Sequence, residues 1–294
     1  MTSLGTHIDV IAENIRIWFK KNSDVNKYFD QVYIFGSAIN DDGRFFVPNS
    51  LFGSDIDLLM RFSENCQGAV ERAQALRNLR EAKGDLEARI CTTLLNGRRE
   101  KSLVSVLAIT DYELYHSIHK GFDPKIFTMN IFHDALTGEN NSGGLVDYID
   151  FAYHLENIEA FSVIRACQNV RNAYLDVSRN GESRLKSFDG PDVIPKEVMR
   201  AGALLNYVLN SPQDKDARTR LIDGLTFINK VLEIRKECER LFEILRQRQF
   251  GRLAKRPCLE VDDIMLLYEV LFDIARGIPK KSIREIIDGF IENK

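Results

Sequence analysis

The chain has 294 residues, 44% of them hydrophobic and 28% charged, with a formal net charge of −3 and a pI near 6.0. That is the composition of a soluble globular protein of one large or two ordinary domains. It excludes a global electrostatic pull toward nucleic acid or an anionic membrane, so any such contact must be local. Five scattered cysteines, Cys66, Cys91, Cys167, Cys238 and Cys258, form no Cys-x-x-Cys pair. They argue for reduced thiols in a cytosol over a disulfide frame or zinc site. The first residues lack the basic start and apolar core of a signal peptide, and no apolar run is long enough to span a bilayer, so a cytoplasmic protein without a membrane segment is expected.

Ile8, Ile11, Ile15, Trp18 and Phe19 recur at three- and four-residue spacing and predict an amphipathic helix over 6–21. Ser23-Asp24 breaks the pattern. A strand follows at 31–35, and its apolar run Val32-Tyr33-Ile34-Phe35 ends in Gly36-Ser37. The segment 40–52 mixes Gly43, Pro48 and Asn49 with Phe45, Phe46 and Phe52. It reads as a surface hairpin, or as a flap in which Arg44 meets a phosphate and a phenylalanine stacks on a base. Asp41 and Asp42 read as solvated turn residues able to add ligands. A second strand then carries Ser54-Asp55-Ile56-Asp57-Leu58-Leu59. Alternate side chains of a strand share a face, so Asp55 and Asp57 point one way while Ile56 and Leu58 point into a core.

Two carboxylates at that spacing repel each other and raise one another's pKa unless a cation lies between them. A hard divalent ion such as Mg²⁺ removes that penalty and brings substrate phosphates with it. Gly36, without a Cβ, lets backbone N–H groups approach an anion, and Ser37 adds a hydroxyl donor. Strand, Gly-Ser turn, and strand with Asp-x-Asp together make a phosphoryl-transfer arrangement.

At Gly36, Ser37, Asp55 and Asp57 the sequence resembles the polymerase β-like nucleotidyltransferase superfamily, residue by residue. The resemblance covers roughly the first 135 residues. It implies that Gly36 and Ser37 contact a nucleoside triphosphate and that Asp55 and Asp57 are catalytic residues holding Mg²⁺ or Mn²⁺. The separation of Ser37 from Asp55 exceeds the family's usual gap, so an insertion at 40–52 is implied. The third carboxylate of this superfamily lies near the start of the next strand and helps bind the metal that activates the attacking hydroxyl.

That strand is expected at 102–110, after a helical region at 66–95 that should break near Gly84. The third-acid position there reads Leu103-Val104-Ser105-Val106, with Ser105 where an acid belongs. Glu100 and Asp111, the nearest acids, lie about 16 Å and 20 Å away along a straight strand. Glu100 serves only if the strand starts earlier, and the third ligand otherwise comes from elsewhere. The segment 111–138 is rich in His, Lys and aromatic residues. His116, His119 and Lys120 read as helix-end groups, or as a Lys or His near the triphosphate.

Asn140-Asn141-Ser142-Gly143-Gly144 reads as a linker. Beyond it the pattern is helical, over 145–176, 195–209, 217–250 and 261–278, with a short helix at 282–291. The expected fold is therefore α+β: a nucleotidyltransferase-type mixed sheet with helices in 1–140, followed by an all-helical domain in 141–294. In the second half, acids interleave the basic residues from Arg235 onward, whereas 246–256 is less balanced and reads as a place for a phosphate-bearing substrate or partner. No P-loop, Gly-x-Gly-x-x-Gly or Gly-x-Ser-x-Gly motif is present. The Arg-then-His pattern of HEPN ribonuclease toxins is missing before the last histidine, His154.

The expected activity is transfer of a nucleoside monophosphate from an Mg-bound NTP, ATP among them, to a hydroxyl of a small molecule, tRNA, protein or second nucleotide. The alternative is a weakened nucleotidyltransferase fold acting as a nucleotide-binding or regulatory module, as in a toxin-antitoxin or defence system, with the helical half docking a protein partner.

Overall fold

The computed structural model describes residues 4–40, 55–95, 102–119, 126–146, 158–177, 182–251 and 256–278. The chain divides into two compact units. One comprises Met1–Gln67, Gln74–Ile149 and Arg171–Arg184; the other comprises Gly68–Ala73, Asp150–Val170 and Leu185–Lys294.

In the first unit the elements run α1 (Leu4–Lys21), α2 (Ser23–Asn26), β1 (Phe29–Phe35), α3 (Ser37–Asn40), β2 (Ile56–Phe62), most of α4 (Ala69–Leu95), β3 (Val104–Ile109), α5 (Asp111–Tyr115), α6 (Ile126–Met129), β4 (Phe132–Asp134) and β5 (Asn140–Asn141). Among the described residues, five strands make one mixed sheet in the order β3-β2-β1-β4-β5. β2 runs parallel to β3 and antiparallel to β1, and β4 is antiparallel to both β1 and β5.

Both faces of this sheet carry buried apolar side chains. On one, Val32, Ile34, Ile56, Leu58, Met60, Val104, Val106 and Ala108 are buried. On the other, Tyr33, Phe35, Leu59, Leu107 and Ile109 join Leu114, Ile126, Phe127 and Phe132 in one apolar cluster. Burying each large side chain of this kind contributes about 1.5–3 kcal/mol. The stripe expected on α1 is inward: Ile11, Ile15, Trp18 and Phe19 are buried, and the Trp18 indole N–H donates to the Ala82 carbonyl on α4 at 3.0 Å.

Buried ions fix the two ends of β3. At its start, the Glu87 carboxylate on α4 accepts from the Val104 N–H (3.2 Å) and the Ser102 hydroxyl (2.9 Å), while the Lys83 ammonium donates to the Leu175 carbonyl at 2.9 Å. Past its end, Thr110 and Glu113 form a capping box that opens α5. Arg171 donates to both Glu113 oxygens, at 2.9 and 2.7 Å, with neither side chain exposed.

The second unit carries most of α7 (Ile158–Leu175), then α8 (Lys196–Asn210), α9 (Leu221–Ile234), α10 (Glu239–Phe250) and α11 (Val261–Arg276). Arg72 belongs to this unit, where it donates to Glu269 and Asp273 at 2.6 Å each. Arg248 is buried and donates to five backbone carbonyls, those of Phe188, Gly190, Asp192, Val193 and Pro257. No helix of the described residues is long and apolar enough to cross a membrane.

Three expectations are corrected. α4 passes through Gly84 without a break, because one glycine costs a helix only about 1 kcal/mol. The helix expected over 217–250 folds back at Arg235, whose backbone is extended at φ −98° and ψ 94°. Unbroken it would run about 50 Å; folded, α9 buries Leu225, Ile228 and Leu232 while α10 buries Leu241 and Leu245.

The expected linker begins as strand β5, paired with β4 through Phe132↔Asn141 and His133↔Asn140. Its Gly144, at φ +86°, lies so close to the backbone of Phe127 and Thr128 that a Cβ would overlap it, so this glycine serves close packing and not slack. Within the basic stretch 246–256, Arg246 pairs with Glu243 at the surface, Arg248 is buried and Arg256 donates to the Pro191 carbonyl, while Arg252 and Lys255 lie outside the described residues. The helix expected at 282–291 lies outside the described residues.

Candidate functional site

Gly36, Ser37, Asp55 and Asp57 gather at one end of two neighbouring strands. Phe35, the last residue of β1, is the register partner of Asp57 on β2. The chain then turns through Gly36, at φ +74°, a left-handed conformation that favours glycine. A Cβ on Gly36 would stand 2.7 Å from the Asp57 Oδ2. The Gly36 backbone therefore lies against the carboxylate. Ser37 follows at once and opens the single turn α3.

Asp55 sits just ahead of β2 and not inside it, and is exposed, while Asp57 is half-buried. The Ile56 N–H between them donates to the Leu103 carbonyl at 2.8 Å, which ties this pair of acids to the start of β3. Ile56 and Leu58 are fully buried on the opposite face. Alternation within β2 thus turns an apolar anchor one way and a carboxylate the other.

Asp57 pairs laterally with Ser105 across the parallel β2–β3 ladder. Ser105 is thereby the lateral neighbour of Asp57 on the same face of the sheet. Asp111 does not join this pair: it begins α5, beyond the far end of β3, and lies 3.5 Å from the Arg61 guanidinium. Arg61, on the same face of β2 as Asp57, also forks onto Asp30 at 3.0 and 2.9 Å, and that bond holds its guanidinium above its ordinary pKa. Glu100, Asp41, Asp42, Arg44 and the aromatic residues of 40–52 lie outside the described residues.

A cavity of about 200 Å³ opens beside the acids, lined by Phe35, Asp57, Ser105, Leu107, His119 and Ile126. His119 is the member that the sequence left between a helix-end group and a site residue. Burial pushes the phenol of Tyr33, two residues before Phe35, above its ordinary pKa. Missed altogether was the Glu113–Arg171 pair, which secures the corner between β3 and α5; its members are 58 positions apart and share no local pattern.

The model of one protein family, described as Pol beta superfamily nucleotidyltransferase in conflict systems, matches residues 15–276. The chain belongs to that family. No curated protein and no solved structure matched it. The mixed sheet with its helices, followed by a mostly helical remainder, is the fold of a Pol beta superfamily nucleotidyltransferase with a helical part.

Nucleotidyltransferases of the Pol beta type generally use divalent metals. Among the described residues, no three His, Cys, Asp or Glu side chains converge closely enough to hold an ion unaided. Two carboxylates at a strand end, with a backbone glycine pressed against one of them, fit a different case. Mg²⁺ is commonly held by one or two carboxylates with substrate phosphates supplying further oxygens.

Proposed function

We propose that this Pol beta superfamily nucleotidyltransferase moves a nucleoside monophosphate from an Mg- or Mn-bound nucleoside triphosphate to a hydroxyl acceptor. The observation that carries this reading is the contact of the Gly36 backbone with the Asp57 carboxylate. It joins the phosphate-facing turn and the metal-facing acid in one place. Asp55 and Asp57 would hold the divalent ion, which when bound neutralises charge on the phosphates and on the attacking oxygen. Gly36 leaves room for the phosphate chain, and Ser37 donates its hydroxyl to a phosphate oxygen. The acceptor is a small molecule, a tRNA, a protein or a second nucleotide, and any protein partner docks through the helical half.

Ser105 beside Asp57 supports a second reading, a nucleotide-binding or regulatory module of a conflict system with weakened chemistry. Incubation with α-labelled ATP, GTP, CTP and UTP, Mg²⁺ or Mn²⁺ and the four acceptor classes separates the two. Label on an acceptor, lost in Asp57→Asn, is the result expected of the enzyme. Nucleotide binding without transfer selects the module, and no binding at all defeats both.

A further inference from the structure

Ser105 cannot do what a third carboxylate does, because a serine hydroxyl neither carries charge nor takes up a proton near neutrality. His119 lines the same cavity as Ser105 and Asp57. Among the six lining side chains it is the one whose ordinary pKa lies near neutral pH.

A local device brings it there. α5 ends in a turn in which the Ser117 N–H donates to the Leu114 carbonyl at 3.1 Å and the Ile118 N–H to the Glu113 carbonyl at 2.8 Å. That is the Schellman pattern, whose left-handed residue is usually glycine. Here it is Ser117, buried and held at φ +48°. A non-glycine residue there costs on the order of 1 kcal/mol and persists only where its surroundings over-determine it. Those surroundings are visible. Glu113 is clamped by Arg171, and Ile118 is buried. The His119 ring meets the fully buried Phe127 edge to face, with centroids 6.1 Å apart and planes at 86°.

We propose that His119 is the proton acceptor of this site: its imidazole accepts the proton of the acceptor hydroxyl as that oxygen attacks the α-phosphorus. The inference rests on the nucleotidyl-transfer reading. A bond forms between the acceptor oxygen and the α-phosphorus, and the bond from that phosphorus to the bridging oxygen breaks. Pyrophosphate leaves with the electron pair, and the hydroxyl proton ends on a ring nitrogen of His119. Phe35, Leu107 and Ile126 supply the apolar walls of the cavity around that ring.

The test uses the full chain with Mg²⁺ or Mn²⁺, each of the four NTPs and the four acceptor classes, reading nucleotide affinity by calorimetry and pyrophosphate release by a coupled assay. His119→Gln should keep NTP affinity within about twofold and lower pyrophosphate release by roughly 10²- to 10⁴-fold, the usual contribution of a positioned acid or base. His119→Ala should behave alike and recover release when free imidazole is added. Ser105→Asp in the His119→Gln background should also restore it. Independently of turnover, the ring NMR signals that vanish in His119→Gln should shift when wild type binds a non-hydrolysable Mg-ATP analogue.

Unchanged release in His119→Gln overturns the proposal, as does a folded His119→Ala that ignores imidazole. A wild type that binds NTP but releases no pyrophosphate overturns it too, while leaving nucleotide binding standing. A wild type that binds no NTP overturns the nucleotidyl-transfer reading itself.

Discussion

Ser105 is the direct lateral partner of Asp57 across the parallel strands β2 and β3. An acid placed there would stand beside Asp57 with its carboxylate on the same face of the sheet, and like charges so close repel unless a cation bridges them. Ser105→Asp should therefore lower stability by about 1–2 kcal/mol in chelator, and millimolar Mg²⁺ should return most of it. Nucleotidyl transfer should rise in the same variant. Thermal melts with and without Mg²⁺ check the first part; a melting point indifferent to the metal would defeat it.

Gly36→Ala combines two insults. The residue is left-handed at φ +74°, and the new methyl would lie 2.7 Å from the Asp57 Oδ2. The expected result is a loss of roughly 1–2 kcal/mol from the backbone conformation, together with a carboxylate pushed from its place. Mg-NTP affinity measured by calorimetry should drop by about tenfold or more, the effect of removing one charge-assisted hydrogen bond. An affinity equal to wild type would mean that the Gly36 turn does not face the nucleotide.

Arg171→Met strands the Glu113 carboxylate, which has no exposure to water. Removing one member of a buried ion pair costs about 3–5 kcal/mol, so denaturant titration should show a loss of that size. Adding Glu113→Gln should recover part of it, because the stranded charge is then gone. A loss below about 1 kcal/mol would place the pair among those with no net role in stability.

Asp263 gives a pH signature. Burial pushes its carboxyl above the ordinary range, outweighing the Glu260 N–H bond at 3.0 Å and the pull of Arg240. The folded chain thus holds this proton more tightly than the unfolded chain does. The group's contribution to stability is full below about pH 4, the unfolded value, and is lost as pH rises through the folded one. Asp263→Asn keeps an oxygen for the Glu260 N–H and removes the charge. Stability profiles from about pH 4 to 7 should be flatter in the variant, with a gain at neutral pH; parallel profiles would contradict this.

Residues that the sequence made conspicuous are those whose partners are close along the chain. The Tyr33 strand with its Gly-Ser end and the Asp-x-Asp strand are neighbours in an antiparallel pair, and period-2 alternation alone orients their side chains. The stripe from Ile11 to Phe19 was equally local. What escaped notice depends on distant partners or on very short elements. β4 and β5 have three and two residues, too few for any periodicity to register. Arg72 and Arg171 carry no local signal, and Arg248 stands out only as part of a basic stretch, since nothing nearby announces Glu269, Glu113 or a ring of carbonyls 9 to 60 positions away.

Arg248 carries one more implication. Every acceptor it uses is main-chain oxygen, so the loop at 188–193 is fastened by atoms that all residue types possess. Phe188 and Gly190 are still constrained, since the Phe188 ring lies under the guanidinium and a Cβ on Gly190 would meet that ring at 2.8 Å. At Asp189, Pro191, Asp192 and Val193 the fastening asks nothing of the side chain, so substitutions there can keep the loop's course as long as position 248 stays arginine.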